Sequence, residues 1–517
     1  MSQRPFRRVA AVVATILAIC AYLTGCSTEG SQADDTGGVL RVGVSLDTDS
    51  YDPYLTIQAA AALLYPAYDT LTVMDENATV GPSLATAWEQ TDPTTWRVTL
   101  RSDVVFHDGS ALDAKAVKKN FERGKTLASS PYIALYSAMK QITVVDEHTV
   151  DVAFDSPYPS FPSDIASIPG AMVSARALDA GTDLTNVMVG SGGWTFDADA
   201  SVRGSKLVFQ AFDKYWNSDA VRAKTVEYHI ISDDNARFNA FQSGQVDVVG
   251  HLQPSQIQAT EASGAAVHAV PIELSVLGIA DRTGKIVPAL KDERVRRAMV
   301  LLVDRDALNA SAYSGGGNPE LGGFMPKSTK WHNEKLDERF RTADVARAKQ
   351  LLAEAGYPDG FSLEVGSVDL VKQRLSALSQ LMAEGGIDLK VTTVPPGTLA
   401  KQNRDGNFPV FYGTSRNVEP SGWYTTYVAE AGPYNAKFGA TDMRDLDALT
   451  VEASSQRDPA EAEAQWDKVQ AEVLDRGFLI PLMWTSQRSA ISSAVQGEVV
   501  LRPSESTPRA LGLAVRR

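Results

Sequence analysis

Two short patterns in the sequence could carry serine-hydrolase chemistry. Residues 137–140 read SAMK, the Ser-x-x-Lys spacing of penicillin-recognising serine enzymes, and residues 215–217 read YWN, a Tyr-x-Asn element. The third element of that set, Lys-Thr-Gly, does not occur in the sequence, and neither does a Gly-x-Ser-x-Gly elbow or a His-Glu-x-x-His helix. The sequence therefore keeps a secreted Ser-x-x-Lys hydrolase only as an alternative, and we predict that the protein is not an enzyme.

Residue counts and net charge argue against two further classes of site. The chain has 6 His and 2 Cys, and no two His lie within five residues of each other, so we predict neither a metal site nor a cofactor. With 49 Lys and Arg against 63 Asp and Glu, the formal net charge is −14. Nucleic-acid phosphates select a basic surface, so we expect no nucleic-acid partner.

The start of the sequence predicts where the protein works. Arginines within residues 4–8 precede an apolar run from Val9 to Leu23, which is too short to span a membrane comfortably. Small residues then precede Cys26, and this order resembles the signal peptide and lipobox of bacterial lipoproteins. The resemblance implies a cleaved signal peptide over 1–25, lipid attachment at Cys26 and a flexible tether over 26–38. The body would be held at the extracytoplasmic face of the cell membrane; an ordinary secretory signal with an incidental cysteine is the alternative.

The rest of the chain mixes strand and helix patterns. Residues 39–46 alternate as a strand does, residues 57–71 are rich in Ala and Leu and predict a helix, and 114–126 form an amphipathic helical pattern. Residues 96–101 and 104–109, which end on Asp-Gly, predict a hairpin. This mixture of strands and helices predicts an α/β protein. A single hydrophobic core stops growing at roughly 250 to 300 residues, so a chain of this length predicts two or three lobes.

Several short blocks follow one another in a fixed order along the mature chain. In sequence they are PSLATAW (82–88), FHDG (106–109), GSGGW (190–194), YWN (215–217), FQSGQVDV (241–248), RVRRAMVLLVDRD (294–306), KQLLAEAGY (349–357) and FLIPLMW (478–484). Each block alone is weak evidence for any family. Together, in this order and with this spacing, the blocks resemble the signature of the peptide/nickel-type solute-binding proteins of ABC importers. The resemblance extends from about residue 39 to the end of the chain.

The resemblance implies a two-lobed, periplasmic-binding-protein-like α/β fold with a hinge and an extra inserted small domain. We expect the first lobe at 39–71, 166–275 and 486–517, the insertion at 72–165 and the second lobe at 276–485. Such a protein closes on its ligand, works as a monomer, and delivers the ligand to a permease driven by ATPase subunits.

The ligand is less clearly implied, because the sequence departs from the family where peptide-binding members place an Asp. The stretch 413–420 reads GTSRNVEP, has no Asp, and sets either Arg416 or Val418 at that position, with Glu419 as its only carboxylate. If Arg416 faces the cleft, it favours a carboxylate, phosphate or polar oxygen; the alternative is an ion pair with Glu419 on the loop surface. The ligand class stays open between a peptide-like solute, anionic or not, and a non-peptide such as a glycan, phosphorylated compound or metal chelate.

Aromatic side chains near the implied cleft complete the predicted site, because clefts bind organic ligands through rigid apolar faces and a few polar groups. The predicted ligand-binding residues are Tyr51, Tyr132, Tyr412, Arg416, Asn417, Glu419, Trp423 and Trp484.

Replacement of the predicted lipid-attachment residue tests the anchor. Cys26→Ser removes the thiol that would carry the diacylglycerol, so we expect the protein to leave the membrane fraction with an unchanged melting temperature. Fractionation and a thermal melt measure the two properties, and continued membrane retention would contradict the lipobox.

Overall fold

The computed structural model describes residues 38–395, 398–416, 418–430, 432, 434–435, 438, 443–456, 458–503, 505 and 507–516. The predicted signal peptide, Cys26, nearly all of the tether and Asn417 lie outside the described residues. Within them, no helix is long and apolar enough to cross a membrane.

The described strands, in chain order, are β1 (Val39–Val44), β2 (Thr72–Met74), β3 (Val80–Pro82), β4 (Ala85–Asp92), β5 (Thr95–Leu100), β6 (Met139–Asp146), β7 (Thr149–Phe154), β8 (Trp194–Val202), β9 (Lys206–Ala211), β10 (Thr225–Ile230), β11 (Val248–Val249), β12 (Ala266–Ile279), β13 (Gly317–Asn318), β14 (Phe361–Ser367), β15 (Ile387–Thr393), β16 (Val410–Ser415), β17 (Leu479–Ile491), β18 (Val495–Gln496) and β19 (Ala514–Val515).

The described α-helices are α1 (Ala114–Thr126), α2 (Ile133–Ala138), α3 (Phe161–Asp164), α4 (Ala175–Asp179), α5 (Asp234–Gln242), α6 (Ile257–Ala262), α7 (Glu293–Leu301), α8 (Arg305–Ala312), α9 (Glu334–Phe340), α10 (Val345–Glu354), α11 (Asp369–Glu384), α12 (Leu399–Arg404), α13 (Pro420–Trp423), α14 (Arg444–Ser455) and α15 (Pro459–Asp475). Short 3-10 turns lie between them, and a π-turn, Tyr424–Val428, continues α13.

One long mixed sheet runs through most of the molecule. Its strands lie in the order β15-β14-β16-β12-β17-β11-β1-β10-β9-β8, with β13 paired to β17. β1 lies between β10 and β11 and is parallel to both, so that Val42 pairs with Tyr228 of β10 and with Val248 of β11. Parallel strands need cover on both faces, and the apolar residues of β1 are accordingly buried.

Strands β12 and β17 connect the two ends of this sheet. The first part of β12, Ala266–Pro271, pairs with Ser486–Ile491 beside β11, whereas Leu274–Ile279 pairs with β16 as well as β17. The ladder shifts register between Pro271 and Glu273. Proline has no N–H to donate to a ladder, and a bulge bends its strand, so the sheet changes direction at this point. We call the bulged segment 271–273 the hinge.

A separate four-stranded antiparallel sheet, β4-β5-β7-β6, lies within the predicted insertion. Helix α1 packs against it, since Val117 and Phe121 are buried in the same cluster as the strand residues Val98 and Val150. The helix begins where the side chain of Asp113 accepts a hydrogen bond from a first-turn amide, which is standard capping chemistry.

Each part of the chain buries its own apolar cluster. Leu40 and Phe209 belong to the cluster around β1, Phe121 to that of the insertion, and Met299 and Trp484 to the large cluster around β12, β16 and β17. A smaller fourth cluster of the described residues includes Phe241 and Val249. Several separate clusters agree with the length argument for more than one core. The residue boundaries given for the lobes and the insertion remain predictions.

Two local predictions are wrong. Residues 57–71 do not form one helix: a short 3-10 helix, Gln58–Leu63, is followed by turns, because Pro66 cannot continue a helix and disfavours helical backbone just before it. Strand β5 pairs with β4 and β7 and not with residues 104–109, which instead form their own tight turn closed by a Val105–Ala111 bridge.

Two glycines after α10 provide a test of the second-lobe fold. Both have positive φ, +91° at Gly356 and +77° at Gly360, but a Cβ at Gly360 would lie 1.8 Å from the carbonyl oxygen of Gly386, whereas one at Gly356 would meet nothing within 4 Å. We expect Gly360→Ala to lower the free energy of unfolding by about 3 kcal/mol or more, and Gly356→Ala by about 1 kcal/mol. Urea unfolding followed by tryptophan fluorescence measures both; equal losses would contradict the close approach.

Candidate functional site

A cavity of about 600 Å³ lies between the second lobe and the rest of the molecule. Residues from 131–135 and 157–169 form one wall, and residues 502, 503 and 505 of the C-terminal segment extend it. The opposite wall comes from residues 416–426, the loop and short helix after β16. Its volume is within the range of about 300 to 1,000 Å³ found for small-molecule sites.

The second-lobe wall is shaped by the start of α13. Pro420 is the first residue of the helix, where a missing N–H costs nothing, and Glu419 immediately precedes it. The helix buries Trp423 in the second-lobe core, while Ser421 and Thr425 face the cavity. Local chain geometry thus places one carboxylate and several small polar groups on this wall.

Two carboxyl groups from opposite walls, Glu419 and Asp164, interact electrostatically. Burial raises the pKa of Glu419 to about 7, and the negative charge of Asp164 adds to this, against the lowering effects of Lys330 and a hydrogen bond with Trp331. Burial likewise raises the pKa of Asp164 to about 6, against hydrogen bonds from Tyr158 and Ser160. Desolvation disfavours the charged form of each group, so a cation between them would be stabilised.

Arg416 lines the cavity but has a partner. Its Nε lies 3.4 Å from Oε2 of Glu273 on the hinge segment, and its side chain is 44% exposed. The arginine thus pairs with a hinge carboxylate and not, as one reading of the loop had it, with Glu419. An exposed pair of this length is weak, because solvent screens the charges.

The C-terminal segment brings a further charged group to the wall. Arg502 and Glu505 line the cavity, and Arg509 behind them holds Oε1 of Glu505 through Nε at 2.8 Å and Nη2 at 2.7 Å. The guanidinium of Arg509 also stacks on the ring of Tyr65, 3.8 Å from its centroid. Two cations and one carboxylate therefore share this buried corner.

Three of the sequence-predicted site residues line the cavity: Tyr132, Arg416 and Glu419. Tyr132 donates its hydroxyl to the carbonyl of Thr56 at 2.9 Å, which fixes the ring at the edge of the first-lobe wall. Asn417 lies between two cavity-lining residues in sequence but outside the described residues.

The other predicted aromatic residues lie in the packed interior. Tyr51 packs edge-on against Phe196 in the first-lobe core. Tyr412 donates to Ser275 Oγ at 2.8 Å. Trp423 and Trp484 are both fully buried in the second-lobe core and are absent from the described lining of the cavity. Their role in binding remains a prediction, which would require the cleft to open further toward them.

Sequence reasoning did not single out Asp164, Arg502 or Glu505. Asp164 ends a four-residue helix and the other two lie near the end of the chain, so no motif or periodic pattern marks them. Only the folded arrangement brings residues some 340 positions apart to one wall, as the Arg509 contact with the Ala166 carbonyl at 3.5 Å shows.

The residues of the hydrolase pattern are not arranged as a hydrolase site in the described structure. Ser137 and Lys140 are exposed, and the Tyr215 hydroxyl is buried, donating to Oδ1 of Asp69 at 3.0 Å. Within the described residues, no group of three or more His, Cys, Asp or Glu side chains could hold a metal ion.

Two α/β lobes joined through a bulged strand pair, with a cavity that carries a few charged groups, define a two-lobed substrate-binding protein. The family model of bacterial extracellular solute-binding proteins, family 5 middle, matches residues 79–441, and the chain belongs to this family. Its function is accordingly to bind a solute outside the cytoplasm for an ABC importer. The family that the sequence blocks predicted is confirmed.

Individual relatives support the same conclusion. The glutathione-binding protein GsiB of Salmonella paratyphi A is 26% identical over 479 residues, which cover 89% of this chain and 91% of that protein. HbpA2 from Haemophilus parasuis has a TM-score of 0.81 at 21% identity, covering 93% of this chain and 100% of that one. The substrate-binding protein CtaP from Listeria monocytogenes gives 0.78 at 22% identity, covering 93% and 100%. The predicted two-lobed α/β fold is thus confirmed, and nothing here supports a hydrolase.

The raised pKa of Glu419 predicts a pH-dependent effect on stability. The folded protein binds the carboxyl proton more tightly than the unfolded chain, so stability is full near pH 4.5 and is lost as pH rises through about 7. Glu419→Gln removes that loss, and we expect it to stabilise the protein by on the order of 2 kcal/mol at pH 8 and hardly at all at pH 5.

Thermal melts at the two pH values measure this effect. The exposed Glu498 supplies the matched control, Glu498→Gln, which should leave the melting temperature unchanged at both. A Glu419→Gln variant less stable than wild type at pH 8 would show that the charged carboxylate is stabilised where it lies.

Proposed function

We propose that this protein is the lipid-anchored, non-catalytic substrate-binding subunit of an ABC importer and that it captures a small peptide or peptide-like solute with a cationic group. The observation that carries the proposal is the cavity itself, which both Glu419 and Asp164 line and in which the charge of Asp164 acts on Glu419. Like charges on two walls repel until a ligand cation lies between them.

The hinge explains how such a ligand would be held. The second lobe reaches the first through β12 and β17, and the bulge at 271–273 is the place where a change in backbone angles moves one wall against the other. A cation that satisfies both carboxylates favours the closed arrangement, and the permease with its ATPase subunits would then receive the loaded, monomeric protein.

The peptide class is favoured by both the relatives and the charges. GsiB is named for binding glutathione, a tripeptide. An ammonium group suits the two carboxylates, whereas a ligand with anionic groups only, such as a phosphorylated glycan, would face their repulsion. A non-peptide solute remains the second candidate where it carries a cationic group.

A peptide titration at two pH values tests this proposal. We expect di- to pentapeptides with a free amino terminus to bind the purified protein at pH 7.5. They should bind about tenfold more weakly at pH 5, where Glu419 and Asp164 are protonated and neutral while the amino terminus keeps its positive charge. Isothermal titration calorimetry measures the affinities.

The same peptides with acetylated amino termini are the control. They lack the cation, so they should bind weakly and with little pH dependence, and Glu419→Gln should flatten the pH dependence for the free peptides. Equal affinity for free and acetylated peptides would overturn the ammonium assignment, and preference for sugars over all peptides would overturn the peptide class.

A further inference from the structure

The guanidinium of Arg502 is a cavity-wall cation with little compensation. Its side chain is 17% exposed, its Nε is buried without a hydrogen-bond partner, and the nearest carboxylate oxygen, Oε2 of Glu505, is 3.9 Å from Nη1. That separation is too long for a hydrogen bond. Arg502 thus faces the cavity with N–H donors that the described residues leave unused.

Glu505 forms an ion pair with Arg502 but makes no hydrogen bond to it. Oε1 accepts a hydrogen bond from Nε of Arg509 and lies 2.7 Å from its Nη2, while Oε2 is buried without a hydrogen bond, on a side chain only 5% exposed. One carboxylate therefore serves two guanidinium groups. Burial lowers the pKa of Arg502, and the charge of Arg509 adds to this, whereas Glu505 opposes it.

Burying a guanidinium whose N–H groups make no hydrogen bonds costs free energy, unless a ligand supplies the missing acceptors. Arg416 differs, because it is more exposed and already lies beside Glu273. The cavity thus offers one arginine with a partner of its own and one whose hydrogen bonds are unmade.

We propose that Arg502 is the subsite for an oxyanion of the ligand, a carboxylate or phosphate held by the planar fork of the guanidinium. The inference rests on the proposed function, because it assumes that the cavity is the ligand site. It adds that the bound solute is dipolar, with its anionic group held by the C-terminal segment of the first lobe. A planar guanidinium matches the two oxygens of a carboxylate, which a lysine ammonium does not.

The test compares paired ligands on the full-length protein in detergent. Tripeptides with free carboxyl termini and the same sequences with carboxyl-terminal amides differ only in the anionic group. We expect wild type to bind the free acids at least about tenfold more tightly than the amides, and Arg502→Gln to reduce that ratio to about one. Arg502→Lys, which keeps the charge without the fork, should restore only part of the ratio.

Arg516→Gln is the matched control, since that arginine is exposed near the same chain end. It should keep the wild-type ratio. If Arg502→Gln does not fold, the acid-to-amide affinity ratios of wild type and Arg502→Lys still test whether Arg502 binds the carboxylate. An acid-to-amide ratio of about one in wild type, or an undiminished ratio in both Arg502 variants, would overturn the subsite.

A different result would overturn the proposed function while leaving Arg502 testable. If no peptide of either kind binds, the peptide class is wrong, and inorganic phosphate becomes the probe. Phosphate at millimolar concentration should then raise the melting temperature of wild type and Arg516→Gln but not of Arg502→Gln. An equal rise in all three would show that phosphate acts elsewhere and would overturn the subsite.

Discussion

The β12–β17 strand pair is the physical constraint on which the rest of the structure depends. It joins the β16 side of the long sheet to the β1 side, and its ladder shifts register between Pro271 and Glu273. Glu273 is also the partner of Arg416, so the bent segment and the binding loop touch through a salt bridge. The charge of a cavity-lining arginine is therefore tied to the segment where the strand ladder is irregular.

Desolvation gives the cavity its chemical character. Glu419, Asp164 and Arg502 all have pKa values displaced toward their neutral forms, and in each case burial is the largest cause. Charged groups that lose water without a full set of partners weaken the fold locally, and a ligand that supplies the partners recovers that free energy as binding. A cavity with uncompensated groups of both signs is suited to a solute with charges of both signs.

Much of the fold was predictable from the sequence, because β1, β5, α1 and α10 have clean local periodicity. Prediction failed where a single proline or a distant strand decided the outcome, as at Pro66 and in the pairing of β5 with β7. The loop before α13 was noticed through its likeness to other family members, and Arg416, Val418 and Glu419 of that loop line the cavity. The predicted tryptophans are buried in the core, because sequence proximity to the loop does not determine which face of α13 or β17 meets the cavity.

The contrast between Arg416 and Arg502 shows why residue type alone could not identify the anionic subsite. Both are arginines on the same cavity, and only Arg416 lies in a stretch that resembles a family motif. Their contacts separate them: Arg416 donates a hydrogen bond to Glu273, whereas Arg502 lies 3.9 Å from Glu505, too far for a hydrogen bond, and Glu505 is also held by Arg509. The Arg416–Glu273 pair joins residues 143 positions apart in sequence, whereas Arg502, Glu505 and Arg509 lie within one short segment that the fold brings to the cavity. The hydrogen bonds that an arginine on this cavity already makes depend on its folded neighbours, and residue type and sequence position do not reveal them.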